Sequence, residues 1–325
     1  TLADGSTCRR SGYVTEAQSL DSDGGLARKS LLVQPWMALL GHTLNSRVWQ
    51  ERSAIDIVED VFADHTSIAA WRWDDDVAQH VANGLNGPTG GVRKYCVQYR
   101  ESDLDFVQRI LAEEGLSWRV EEDTAAPGGH TMVIFANSLN QAQDPTSGTT
   151  LGGKGIRFHR SSSQEEQDSI QALGAWRQLG QAGGSMGTTV LGWDYESNRA
   201  IVADVPTNHQ WGGKEASTLQ SWLTSYDPVA DGLYSHPAQA QFAATTMQQA
   251  REARLKLWMG EGTVRTLRSG TWFGLSQSTL DSINPHDEDK EFFVTAVRAM
   301  GINNLPKDLS DTIAKTLGVG PLQAL

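Results

Sequence analysis

The sequence predicts an α+β protein in which β segments near both ends flank helical segments. Apolar and β-branched residues dominate stretches at 13–15 and 31–33, and again at 190–195 and 199–205. Between these stretches the apolar period changes to that of amphipathic helices, and residues 236–258 form the longest helical pattern. A length of 325 residues is enough for two or more domains, each with its own core.

The first helix is predicted from Ser53 to about Asp64. Ser53 and Asp56 have the spacing of a capping box, with Asp in place of the usual Glu. Its apolar face consists of Ile55, Val58, Val61 and Phe62. Upstream, a loop rich in Gly, Asp and Ser at 19–25 separates two β stretches, so residues 1–45 predict a hairpin.

A β-α-β-β layer over residues 95–135 is the clearest unit. Its first strand contains the alternating residues Tyr95, Val97 and Tyr99. Ser102 is the predicted N-cap of the helix, and Gly115 is its predicted C-terminal stop. Strands at 116–120 and 132–135 complete the layer.

The second half of the chain returns to β patterns. Residues 137–155 are polar and Gly-rich and predict a linker. Strands are predicted at 263–267, 271–275 and 291–297, and residues 306–325 predict a short amphipathic helix.

Charge and cysteine content exclude several classes of protein. The net charge is −12 with a pI of about 5.1, which argues against a nucleic-acid or anionic membrane partner. No apolar run is long enough to span a bilayer, and two cysteines are too few for a disulfide scaffold. Residues 51–145 contain 7 basic and 17 acidic residues, so this segment predicts an acidic, outward-facing surface.

No motif in the sequence predicts a catalytic, cofactor or metal site. Residues 183–187 match G-x-S-x-G around Ser185, but a loop precedes the serine and a strand follows it, whereas a nucleophile elbow needs a strand and then a helix. Residues 148–154 have the spacing of a phosphate loop, but Gly155 replaces the Ser or Thr that would hold magnesium. The eight histidines have no metal-binding spacing. Four of the eleven tryptophans lie in polar surroundings that suit either packing or a protein interface: Trp71, Trp73, Trp211 and Trp222.

The stretch from Tyr95 to Asp103, followed by Phe106, Leu111 and Gly115, resembles the signature of the valine-glycine-repeat spike proteins of type VI secretion systems. The resemblance runs from about residue 12 to 306. It is carried by a set of motif and core residues: Trp36, Trp49, Tyr95, Val97, Tyr99, Ser102, Asp103, Phe106, Leu111, Gly115, Trp118, Gly270, Trp272, Phe273 and Phe292.

The resemblance implies a fold of two antiparallel β-barrel-like hub domains with α+β and helical insertions. Residues 1–45 would be the end of the first barrel, and 46–145 an α+β insertion. The second barrel would comprise 146–205 with 260–305, interrupted by a helical insertion at 206–259, and 306–325 would lead toward a spike.

The resemblance also implies a function and partners. The family forms a non-catalytic homotrimer that joins a hexameric tube protein to the spike, contacts baseplate proteins, and delivers effectors with a tip protein. Such proteins are cytoplasmic during assembly and are then injected into the target cell. A hydrolase or effector-bearing spike, and the hub of a contractile phage tail, remain the alternatives.

Overall fold

The computed structural model describes residues 5, 7–23, 26–149, 155–159, 168–177, 187–208, 222–228, 234–278 and 290–301. In these residues the strands form six separate sheets of two or three strands, accompanied by five α-helices. The predicted α+β class is therefore confirmed. None of the six sheets closes into a barrel within the described parts of the chain.

The predicted hairpin near the start is present and stands largely by itself. Strands β1 (Tyr13–Asp23) and β2 (Leu26–Gln34) pair only with each other among the described strands. The Tyr13 hydroxyl donates a hydrogen bond to the Ile68 carbonyl at 3.2 Å, which ties the base of the hairpin to the next unit. An isolated two-stranded hairpin is only marginally stable in water.

The next unit contains both helices and strands and begins after a 3₁₀ segment at Trp36–His42. Its elements are β3 (Leu44–Ser53), α1 (Ala54–Ala63), β4 (Trp71–Trp73), α2 (Val77–Asn83), β5 (Val92–Ser102), α3 (Asp103–Glu113), β6 (Ser117–Glu122) and β7 (His130–Phe135). Strand β5 pairs antiparallel with β3, while β7 lies between β4 and β6 in a different sheet. The predicted β-α-β-β layer is therefore split between two sheets, because the first strand finds its partner upstream at β3.

Side-chain caps fix the ends of the helices in this unit. The Ser53 hydroxyl accepts a hydrogen bond from the Asp56 amide at 3.1 Å, and the Asp56 carboxylate accepts one from the Ser53 amide, so the predicted capping box is confirmed. The Ser102 hydroxyl caps α3 in the same way, by accepting from the Asp105 amide at 3.0 Å. Gly115 ends α3 with a φ of +70°, a conformation that favours glycine.

One large hydrophobic core holds this α+β unit together. Two aromatic pairs lie at its centre: Trp36 meets Phe62 edge-on at 5.0 Å, and Trp49 stacks on Phe106 at 5.0 Å. The fully buried helix residues Ile57, Val58, Val61, Val107 and Ile110 fill the space between them.

A second, smaller core lies between a sheet and the longest helix. Strands β10 (Gly187–Asp194), β11 (Arg199–Pro206) and β12 (Thr224–Pro228) form the sheet, with β10 in the middle, and α5 (Pro237–Leu255) covers one face. The core contains Val190, Ile201, Ala203, Ala240, Ala243 and Ala244. The predicted helix ends at Leu255 rather than near Trp258, because the chain continues as a strand that pairs with the strand Ile170–Arg177.

The remaining elements form the third and smallest core. They are α4 (Pro145–Thr149), β8 (Ile156–Arg157), β9 (Ile170–Arg177), β13 (Lys256–Gly262), β14 (Trp272–Ser276) and β15 (Glu291–Phe293). Phe273 stacks on Phe292 at 5.3 Å in this core. Residues 263–267 form a loop instead of the predicted strand, since Val264 and Leu267 pack against the core without pairing. The strand predicted at 291–297 ends at Phe293.

Candidate interaction surfaces

A buried aspartate organises the motif around β5 and α3. Asp103 is fully buried, and its carboxylate accepts hydrogen bonds from four side chains at 2.7–3.1 Å. The donors are Asn45 and Arg47 on β3, Gln98 on β5, and His65 after α1. Because these donors come from three different elements, the cluster fixes β3, β5 and α1 relative to α3.

The pKa of Asp103 reflects this environment. Burial by itself would raise the pKa of a carboxyl group, but the hydrogen bonds from Asn45, Gln98, His65 and Arg47 outweigh it and lower the value to about 2. The group is therefore charged at neutral pH. Its role is structural positioning, since every contact in the cluster holds a backbone element in place.

A second ionic cluster lies at the C-terminal end of α3. Arg93 binds both Glu113 at 2.5 Å and Glu114 at 2.6 Å, and Arg109 binds Glu101 at 2.9 Å. Glu114 is fully buried beside Gly84 and α5. Part of the acidity predicted for the surface of residues 51–145 is thus internal and paired.

The β3–β5 sheet has one buried face and one exposed face whose three central residue pairs are uncharged, and the next pair along the strands is Arg52 with Arg93. Trp49, Cys96 and Gln98 point into the core, whereas the residues between them point outward. The outward pairs are Ser46 with Tyr99, Val48 with Val97, and Gln50 with Tyr95. Tyr95 is 60% exposed and Tyr99 is 72% exposed. We call this surface, made of Ser46, Val48, Gln50, Tyr95, Val97 and Tyr99, the tyrosine face.

A β-bulge shapes one end of the tyrosine face. Arg100 has a φ of +50°, and the register shifts by one residue between Asn45 and Ser46 on the opposite strand. The Arg100 amide donates a hydrogen bond to the Ser46 hydroxyl at 3.1 Å. Bulges of this kind redirect side chains and occur often beside functional surfaces.

The β10–β12 sheet repeats this arrangement at another place in the chain. One face is packed on α5, and the other exposes Trp193 at 42%, Val202 at 53% and Tyr226 at 60%. We call this surface, made of Thr189, Leu191, Trp193, Ala200, Val202, Asp204, Thr224, Tyr226 and Pro228, the tryptophan face. Its one charged residue is Asp204, whose carboxylate accepts a hydrogen bond from the Thr189 hydroxyl at 2.7 Å.

An ion pair brings the ends of the two sheets together. Lys94, next to Tyr95 on β5, lies 3.5 Å from Glu196, which follows β10 and the exposed Tyr195. The tyrosine face and the tryptophan face thus end at a shared border.

The structure distributes the residues of the motif between core and surface. The buried ones are Trp36, Trp49, Ser102, Asp103, Phe106, Leu111, Phe273 and Phe292. The half-buried ones are Val97, Trp118 and Trp272, while Tyr95 and Tyr99 are exposed rather than part of the core.

Gly270 has a φ of +76°, and a Cβ there would meet the Arg119 side chain at 2.5 Å. Leu111, Trp118 and Gly270 line one groove between α3 and the chain before β14.

The four tryptophans for which the sequence left both packing and a protein interface open have different environments. Trp71 and Trp73 are half-buried: Trp71 packs on Phe62 at 5.2 Å, and the Trp73 indole donates to Glu59 at 3.0 Å. Trp222 is 79% exposed just before β12. Trp211 lies outside the described residues. Sequence reasoning missed Trp193, although its alternation with Leu191 and Tyr195 on a strand was a usable signal.

The catalytic motifs have no support in the described residues. Ser185 and residues 150–154 lie outside them, and Gly187 begins strand β10 rather than a helix. In the described part of the chain, no group of three or more histidine, cysteine and acidic side chains could hold a metal ion. Among the same residues, no helix has both the length and the apolar character needed to cross a membrane.

Comparison with known proteins agrees with the resemblance found in the sequence. The type VI secretion spike protein VgrG1b of Pseudomonas aeruginosa is 23% identical over 313 residues, which cover 94% of this chain and 36% of that protein. VgrG4b of the same organism is 29% identical over 191 residues, covering 59% of this chain and 21% of that protein. The chain thus matches 36% of the length of VgrG1b and 21% of the length of VgrG4b.

A solved tail protein from Neisseria meningitidis MC58 aligns with a TM-score of 0.48 and 13% identity, over 81% of this chain and 69% of that one. The family model described as phage tail baseplate hub (GPD) matches residues 1–305. The chain belongs to the phage tail baseplate hub family.

Proposed function

We propose that the chain is the hub part of a type VI secretion spike and works as a trimeric, non-catalytic adaptor. The family match and the two spike proteins of Pseudomonas aeruginosa support this proposal. Because the chain spans only 36% of VgrG1b, the spike and any effector domain of such a protein would lie outside the matched part.

The main observation behind the proposal is that several sheets have few strands or an exposed apolar face. Three of the six described sheets have only two strands, and two sheets have one packed face and one exposed face of Tyr, Trp and Val. An isolated two-stranded sheet is marginally stable in water, and an exposed apolar face is buried when a partner surface packs against it. A subunit of a ring would gain that cover from neighbouring copies.

The β-barrel-like domains belong to this proposal. The hairpin at residues 1–45 would contribute to the first barrel, and residues 46–145 form the α+β insertion. Residues 146–205 and 260–305 would build the second barrel, with residues 206–259 inserted into it. Three copies with two barrels each would give a pseudo-sixfold ring that matches a hexameric tube protein.

The remaining partners follow from this arrangement. The ring would contact the tube protein on one side and, through a region toward which residues 306–325 lead, the spike with its tip protein and effectors. Baseplate proteins would surround it. Such a protein would assemble in the cytoplasm and leave the cell when the machine fires.

Mass photometry and sedimentation velocity of the 325-residue chain over a range of concentrations test the adaptor proposal. We expect a trimer that forms as the concentration rises. A chain that stays monomeric at every concentration would contradict the proposal.

Hydrolysis assays separate the adaptor from the enzymatic alternative. We expect no turnover of peptidoglycan, lipid or peptide by the wild-type chain. Turnover that disappears in a Ser185→Ala variant would show that the chain is an enzyme.

A further inference from the structure

The two exposed faces have the properties of the two sides of a ring contact. In a cyclic trimer each copy touches its neighbours through two different surfaces, because the contact is heterologous. The chain presents two such surfaces on different sheets, the tyrosine face and the tryptophan face.

Charge limits where two copies can meet. Each copy carries a net charge of −12, so most approaches bring like charges together. The six residues of the tyrosine face are uncharged, with Arg52 and Arg93 pairing just beyond them, and the tryptophan face has only Asp204, which is bound to Thr189. Contact between these two faces therefore brings two largely uncharged surfaces together.

The composition of the faces also suits a protein contact. Tyr and Trp are the residues most often found at the energetic centre of interfaces. Both faces end at the Lys94–Glu196 ion pair, so a copy offers them on adjoining parts of its surface. The spacing of strands and residues gives each face an area of about a few hundred Å². This area is small for a stable dimer. A single contact should be weak, and ring closure should strengthen it.

We propose that the tyrosine face of one copy packs against the tryptophan face of the next copy. The inference rests on the proposed trimer and specifies which surfaces form it.

Mixing two variants tests this pairing. Tyr99→Asp damages one face, and Trp193→Asp damages the other. Each variant alone lacks an intact contact and should stay monomeric at concentrations where the wild type is trimeric. An equimolar mixture retains one intact contact, between the tryptophan face of the first variant and the tyrosine face of the second. We expect a 1:1 dimer in the mixture at high protein concentration.

The matched control is Leu139→Asp, since Leu139 is 88% exposed and lies on neither face. This variant should form the wild-type trimer. Far-UV circular dichroism and thermal unfolding should show that all three variants remain folded, and Val202→Asp replaces Trp193→Asp if that variant unfolds.

The outcomes distinguish the inference from the proposed function. If the wild type is trimeric but the mixture stays monomeric, or either face variant still forms the trimer, the pairing is wrong and the hub function stands. If the wild type itself is monomeric, both fail.

A photo-crosslinking residue at position 99 gives an independent readout that adds no charge to the face. We expect crosslinks from position 99 to residues 187–206 or 222–228 of another copy. Crosslinks from position 99 only to other parts of the neighbouring copy would overturn the pairing.

Discussion

The α+β unit and the smallest β unit differ greatly in the size of their hydrophobic cores. The α+β unit has a core of twenty buried residues built from both helices and strands, whereas the core around Phe273 and Phe292 has five. In the α+β unit, one fully buried carboxylate is satisfied by four side chains. The β unit consists instead of a two-stranded sheet and a three-stranded sheet with a strand of only two residues.

The difference in core size indicates which part of the chain can be stable by itself. Stability grows with the apolar area removed from water, so the larger core gives the α+β unit a fold that needs no neighbour. The small sheets bury too little for that, and in the proposed ring they would gain stability from the copies that cover them. The following substitutions test this contrast in order of decreasing expected loss of stability.

Phe106→Asp should have the largest effect because it places a charge at the centre of the large core. Phe106 is fully buried and stacked on Trp49, so we expect a loss of more than about 4 kcal/mol in the free energy of unfolding. Urea unfolding and limited proteolysis measure it. Tyr99→Asp, on the outer face of the neighbouring strand, should keep the unit folded. Equal loss in both variants would contradict the assignment of inner and outer faces.

Asp103→Asn should destabilise the α+β unit without changing its shape. The substitution removes the charge that holds Arg47 and His65, and it places an amide donor against the donors of Asn45 and Gln98. We expect a loss of about 3 kcal/mol in urea unfolding. Asp105→Asn, at the partly exposed cap of α3, is the control and should cost less. An unchanged free energy of unfolding for Asp103→Asn would show that the cluster does not stabilise the unit.

The pH dependence of unfolding should report the same cluster. The pKa of Asp103 is lowered from 3.8 to about 2 in the folded chain, so its stabilisation is complete above about pH 4 and disappears as the pH falls to 2. The shift corresponds to about 2 kcal/mol. Urea unfolding between pH 5 and 2 should show a steeper loss for the wild type than for Asp103→Asn. Parallel curves would show that Asp103 is not the group responsible.

Gly155→Ala should weaken only the smallest β unit. Gly155 has a φ of +104°, and a Cβ would overlap the Gly274 backbone on β14. We expect a loss of about 1–2 kcal/mol in local stability near β8, with unfolding of the α+β unit unchanged. Gly174→Ala, on β9 with open space around it, is the matched control. Hydrogen exchange of β14 measures the effect, and equal loss across the whole chain would show that the units unfold together.

Lys94→Ala should have the smallest effect. Lys94 and Glu196 are 62% and 64% exposed, so their ion pair contributes less than about 1 kcal/mol. Thermal unfolding should be nearly unchanged. A large loss would mean that the border between the two sheets carries more of the stability than their cores.

Local signals in the sequence predicted the caps and most strands, because they depend on neighbouring residues. Ser53 with Asp56, Ser102 and Gly115 all lie where their chemistry places them. Which face of β5 is buried could not be predicted, since Tyr95, Val97 and Tyr99 alternate with Cys96 and both sets are apolar enough for a core. Pairing with β3, which is distant in sequence, determines the buried face of β5. Trp49 and Cys96 then lie on the same side of the sheet as Phe106.

The same limit explains the errors in the second half. The β-rich stretch at 263–267 resembles a strand, but Val264 and Leu267 pack against the core from a loop. Leu257 and Trp258 continue the helical pattern of the sequence, yet they pair with β9 in an antiparallel sheet. Contacts distant in sequence override local propensity at these positions.

Hydrogen exchange of the 325-residue chain at rising concentration tests whether association stabilises the small sheets. We predict that amides of α1, α3 and β7 are protected at every concentration, while amides of the two-stranded sheets β1–β2 and β9–β13 become protected only as the chain associates. Equal and concentration-independent protection of all these elements in a monomer would contradict the account.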